Sequence, residues 1–90
     1  MAIFLVSYDL RSPGRNYQPL YDALGGVPHC HALESAWLID VAQTRHEIRD
    51  VLQGAVDAND ILLVTRVLQD GWASYNLPCA AWLQDPARRW

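Results

Sequence analysis

Lysine is missing from this 90-residue chain, and all seven of its cationic side chains are arginines. Set against ten acids they leave a net charge of −3. That balance excludes broad, charge-driven binding to nucleic acid, which needs many cation–phosphate contacts. It leaves room for a local arginine cluster, since guanidinium suits bidentate phosphate contacts. Cysteine is scarce: Cys30 and Cys79 have no metal-ligand spacing and form no dense framework. They are expected to be buried thiols in a reducing compartment. No apolar run approaches the roughly 20 residues of a membrane span. The opening MAIFLV has neither a basic n-region nor a small-residue cleavage site, so no signal peptide is expected and a cytoplasmic location follows. Repeats, linkers and low-complexity tracts are absent too.

What is there is apolar. Half the residues are hydrophobic, enough for one core in one domain spanning residues 1–90. Residues 2–9 read as a strand that ends abruptly in a carboxylate, "FLVSYDL", followed by the turn Arg11-Ser12-Pro13-Gly14-Arg15. Asn16 can cap a helix to about Leu24, with Tyr17, Leu20, Tyr21 and Leu24 on one face and Gly25-Gly26 as the stop. Residues 29–41 leave room for a short strand, a bend and a longer strand. Thr44 and Glu47 form a capping box for a helix whose Ile48, Val51, Leu52, Ala55 and Val56 recur at helical spacing. An Asp57-Ala58-Asn59-Asp60 turn leads into a strand from Ile61 to Leu68. The remainder, residues 70–90, is an aromatic-rich extension with a short helix between Pro78 and Gln84.

The order βαββαβ predicts an α+β, ferredoxin-like sandwich with two helices on one face of the sheet. Strands 3–6 and 61–64 are apolar on both faces, so the second face also needs cover. Either the segment bearing Trp72, Tyr75, Trp82 and Trp90 folds over it, or a second subunit does. A sheet-to-sheet homodimer is the expectation.

A first strand closing on Tyr8-Asp9, a glycine-terminated first helix, Ser35 and Trp37 on the second strand region, a Thr44-capped helix and the Asp57/Asp60 turn resemble the CRISPR-associated Cas-two family. The match spans roughly residues 2–68. "VSYDL", "ESAWLI", "DANDILLV" and "GWASYNLPCAAWL" look closer still to the small SinR-like proteins grouped with that family. The resemblance implies a ferredoxin-like homodimer and a metal-dependent endonuclease acting on RNA or DNA, with Asp9 as catalytic residue and ligand of Mg²⁺ or Mn²⁺. It equally implies a non-catalytic dimeric scaffold for protein or nucleic acid. This chain departs from the family in its acidity, its lack of lysine, and a tryptophan-rich tail in place of a strand that swaps onto the partner.

Each candidate residue has a plainer role as well. Asp9 either holds a metal whose bound water becomes a nucleophile, or accepts backbone bonds in the turn behind it. Arg11 and Arg15 either grip phosphates or neutralise Asp9, and Tyr8 or Tyr17 either stacks on a base or packs. His29 and His31 share one face of a strand while Cys30 points to the other, so the three cannot converge on one ion. His46, Arg45, Arg49 and Asp50 lie on the polar side of the second helix. Arg88 and Arg89 either touch nucleic acid or solubilise the tail. The tail aromatics form a stacking platform or a packed surface.

Overall fold

Strand β1 (Ala2–Asp9) places Phe4, Val6 and Tyr8 on one side of the sheet and Ile3, Leu5 and Ser7 on the other, because side chains alternate along an extended chain. In the computed structural model, which describes every residue except Arg89, the first set is buried, while in the second Ile3 is buried and Leu5 and Ser7 are half-buried. β1 is a central strand. It pairs antiparallel with β3 (Ala36–Val41) from Ala2↔Val41 to Ser7↔Ala36, and with β4 (Ile61–Val67) from Ile3↔Val67 to Asp9↔Ile61. β2 (His29–Leu33) pairs with β3, with a register shift between Cys30 and Leu33. The result is an α+β domain on a four-stranded antiparallel sheet in the order β2-β3-β1-β4. Among the described residues no helix is long and apolar enough to cross a membrane.

Helix α1 (Gln18–Gly25) starts with Pro19 in its first turn, where a missing N–H is harmless. Asn16 is the cap expected from the sequence, but the cap position falls on Tyr17, without a side-chain cap bond, while Asn16 Oδ1 accepts from the Gln18 N–H at 3.0 Å just ahead of the helix. Helix α2 (Arg45–Gln53) carries the full capping box: Thr44 Oγ1 accepts from the Glu47 N–H, and the Glu47 carboxylate accepts from the Thr44 N–H. Leu20 and Leu24 from α1 and Ile48 and Leu52 from α2 close over Phe4, Val6, Tyr8, Trp37, Ile39 and Val41.

The opposite face is partly covered by the chain's own tail. Leu77, Cys79, Trp82 and Leu83, the last three in or next to the one-turn helix α3 (Ala80–Leu83), pack with Trp72 and Trp90 on Ile3, Leu38 and Val67. Asn76, at φ 55°, takes the left-handed turn that Asn tolerates and directs the segment back over the sheet. Two links fasten it. Cys30 and Cys79 form a disulfide, with Cα atoms 6.0 Å apart. This corrects the expectation of buried thiols: the tail returns to strand β2 and brings the two sulfurs together across 49 residues of sequence. Arg88 Nη1 lies 3.1 Å from Asp40 Oδ2, and the same guanidinium stacks 3.8 Å above the Trp82 ring. Arg89 lies outside the described residues.

Candidate functional site

The loop after β1 and the loop before β4 meet at one end of the sheet, because β1 and β4 are neighbours in register there. Their side chains form a hydrogen-bonded clamp. The Ser12 hydroxyl donates to Asp57 Oδ2 at 2.6 Å. The Tyr17 hydroxyl donates to the Asp60 carboxylate at 2.7–2.9 Å, and the Arg11 N–H donates to the same carboxylate at 2.6 Å. The Asp57 N–H supplies a further donor to Asp60 at 2.7 Å. A groove of about 450 Å³ beside the clamp, lined by Arg49, Gln53, Asp57 and Asp60 among others, opens toward α2.

The electrostatics follow from these contacts. Asp57 is held below the ordinary carboxylate value of 3.8, chiefly by the Ser12 hydroxyl and then by the Ala58 N–H. Desolvation pushes Asp60 upward, but donors from Arg11, Asp57 and Tyr17, with Arg15 nearby, outweigh it and leave the group below 3.8. Tyr17 is raised above 10.0 by desolvation and by its bond to the Asp60 carboxylate. Both acids are therefore ionised acceptors at neutral pH, with their oxygens committed to the clamp.

Asp9 stands outside it. Its carboxylate pairs with the Arg11 guanidinium at 2.9 Å, and both side chains are more than half exposed. The contact it makes is a surface ion pair, the neutralising role open to Arg11 in the sequence. A hard divalent cation takes six or more oxygen ligands, Mg²⁺ keeping several waters among them. One arginine-paired carboxylate does not fit that requirement within a single chain. Among the described residues no three His, Cys, Asp or Glu come together in a group able to hold a metal. Arg15 is exposed, and its backbone N–H donates to Ser12.

Tyr8, the predicted stacking residue beside Asp9, is 8 % exposed and faces the helices. Its hydroxyl accepts from Trp37 Nε1 at 3.1 Å and donates weakly to the Glu34 carbonyl at 3.4 Å. Burial raises its pKa above 10.0, the Trp37 bond working against it. The strand's alternation explains the separation: Tyr8 and Asp9 point to opposite faces. Tyr8 is a core residue with a satisfied hydroxyl, and Tyr17 is part of the clamp.

His31 stacks on Trp37 at 4.2 Å between ring centroids, and His29 lies tilted against the same ring at 5.3 Å. Arg49 pairs with Asp50 on the solvated side of α2. Of the tail aromatics, Trp72, Trp82 and Trp90 pack on the sheet while Tyr75 is 90 % exposed.

Sequence reasoning missed the clamp's pairing and the buried Asp40. Asp57 and Asp60 were legible as a turn, but their partners Ser12 and Tyr17 lie more than 40 residues away. Asp40 carried a signal, as a lone acid closing the apolar run Ala36-Trp37-Leu38-Ile39. It is 5 % exposed, with Oδ2 on Arg88 and Oδ1 without a partner among the described residues. No protein-family model matches this chain, and no solved structure matches it.

Proposed function

We propose that the chain is a ferredoxin-like, dimeric binding module that works by presenting a surface and carries out no chemistry of its own. One observation carries this reading. On the side of the sheet away from the helices the tail covers only part of the face, leaving Leu33, Ile61, Leu63 and Tyr75 between 48 % and 90 % exposed. Exposed apolar side chains gathered on one side of a sheet mark interaction sites. Beside it, a groove of about 350 Å³ opens between Leu5, Leu33, Trp72 and Tyr75. The chain's acidity and lack of lysine favour a protein partner over a phosphate backbone.

A second reading, a metal-dependent nuclease, draws on Asp9 alone. Its carboxylate is 59 % exposed at the end of a central strand, on the same face as Leu63. The test is cleavage of labelled single- and double-stranded RNA and DNA by the wild type and Asp9→Ala, with Mg²⁺, Mn²⁺ or EDTA. The binding-module reading expects no cutting by either protein. Metal-dependent cutting that disappears in Asp9→Ala, with the fold unchanged, would replace it with the nuclease reading.

A further inference from the structure

The seven arginines of this acidic chain are not spread evenly. Helix α2 buries Ile48 and Leu52, and helical spacing puts Arg45 and Arg49 on the flank that turns toward β4. Glu47 falls on the other flank, beside Val51 in the groove toward α1. A groove of about 240 Å³ between α2 and β4 is lined by Arg45, His46, Arg49, Leu62, Leu63 and Val64. Arg66 continues that lining. Phe4, Val6 and Tyr8 face the helices, and their partners across the ladder are Arg66, Val64 and Leu62. The helix begins at the Arg66 end of the sheet, since Val41 stands opposite Ala2 and Val67 opposite Ile3. Three of the seven arginines thus border one groove. Arg45 and Arg66 are exposed and form no ion pair among the described residues. Arg49 pairs with its neighbour Asp50, both side chains more than half exposed, a contact weak enough to exchange for another carboxylate. Asp57 and Asp60, at the far end of α2, already accept from Ser12, Tyr17 and Arg11 and do not offset the Arg45 end.

β4 is also an open edge of the sheet. It pairs with β1 over seven successive residues without a shift, contains no proline, and has no other strand on its outer side. Such an edge accepts an extended segment through its backbone. The side chains beside it specify that segment. On the helix face stand the three arginines; on the opposite face stand Ile61 and Leu63, 48 % and 58 % exposed. Side chains alternate along a strand, so the complement carries carboxylates on one face and apolar residues on the other. None of this chain's own strands has more than one acid, so a second copy does not supply that pattern. We infer that β4 takes, as a fifth strand, an acidic segment of a partner protein in which glutamate or aspartate alternates with apolar residues. Its carboxylates lie on Arg45, Arg49 and Arg66. This deepens the reading of the chain as a binding module and rests on it.

The test uses the full, disulfide-bonded chain and a fluorescein-labelled peptide of alternating valine and glutamate, matched in length to β4. Anisotropy should show a Kd between about 10 µM and about 1 mM, the range suited to an interface below the roughly 1,200 Å² of standard-size complexes. Affinity should fall about fivefold as salt rises from about 0.05 M to about 0.5 M. A valine and lysine peptide should bind about tenfold more weakly. Arg45→Glu with Arg66→Glu should reverse that preference; both positions are exposed, and circular dichroism checks the fold. Backbone N-methylation of the glutamate peptide, which removes donors that a ladder needs, should abolish binding. Amide shifts on titration should gather on β4 and α2. Equal binding of the two peptides, or a preference unchanged in the arginine variant, would overturn the acidic partner and leave the module reading standing. Shifts confined to the groove at Trp72 and Tyr75 would do the same by moving the docking off β4. No binding of either peptide at about 1 mM would also overturn the inference, whereas the module reading falls separately, to metal-dependent cutting in the cleavage assay. Single-stranded RNA or DNA that displaces the peptide at lower concentration would overturn the protein partner itself.

Discussion

The two faces of the sheet bury similar side chains by different means. Over Phe4, Val6 and Ile39 lie two regular helices, α2 with a full capping box, that contribute Leu20, Leu24, Ile48 and Leu52 as amphipathic stripes. Over Ile3 and Leu38 lies a mostly irregular segment with a single helical turn, fastened by the Cys30–Cys79 disulfide and the Asp40–Arg88 pair. Regular elements hold their place by periodic packing. A segment without periodicity needs point attachments, and here one is covalent and one ionic. The difference also fixes where the surface is left open, since a short tail covers the end of the sheet near Val67 and leaves Ile61 and Leu63 bare.

The largest expected effect comes from cutting the covalent attachment. Cross-linking residues 49 apart restricts the unfolded chain by about 4 kcal/mol at 25 °C on the chain-entropy estimate. Reduction with a dithiol, or Cys30→Ser with Cys79→Ser, should lower the unfolding free energy in urea by that order. Next is Leu20→Ala on the helix side, where the side chain is wholly buried; the loss should be about 3 kcal/mol, with the disulfide intact. Arg88→Ala leaves the Asp40 carboxylate buried and unpaired. It should cost about 2 kcal/mol, less than for a fully enclosed pair because the guanidinium keeps some solvent contact. Pairing Arg88→Met with Asp40→Leu should recover most of that loss.

A smaller, pH-dependent effect belongs to the clamp. Asp57 and Asp60 have folded values below their ordinary 3.8, so the native state binds fewer protons than the unfolded chain near that pH. Their stabilisation is present above about 4 and is lost as pH falls through the folded values. Urea midpoints should therefore decline below pH 4, and Ser12→Ala with Tyr17→Phe should flatten the decline. The smallest change is expected for Asp9→Ala, within about 0.5 kcal/mol of wild type, as for most exposed ion pairs.

Much of the architecture was legible because it rests on local rules. The Thr44–Glu47 capping box, the Leu20-Tyr21-Leu24 stripe, the strand ending at Asp9 and the short helix after Pro78 all stand where local chemistry puts them, while Tyr17 leaves the stripe for the clamp. The need to cover a second apolar face was equally readable in β1, where Ile3 is buried and Leu5 half-buried on the side opposite Phe4, Val6 and Tyr8. What local rules did not reveal were contacts set by topology. The Cys30–Cys79 bond, the Arg88–Asp40 pair and the Ser12–Asp57 bond join residues 45 to 49 apart in sequence. Tyr8 shows the same limit at short range: beside Asp9 in sequence, it is turned into the core by strand alternation.

The account stands on the tail being a fixed part of the fold, closing one end of the sheet and leaving β4 open. Hydrogen exchange of the oxidised chain, read by mass spectrometry before and after dithiol reduction, tests this directly. Amides of Ala80, Leu83 and Gln84, bonded to Leu77, Cys79 and Ala80, should be protected in the oxidised protein. They should exchange markedly faster once the disulfide is reduced, while α2 changes far less. Tail amides that exchange at the unprotected rate in both states would contradict it, leaving the whole second face free for a partner.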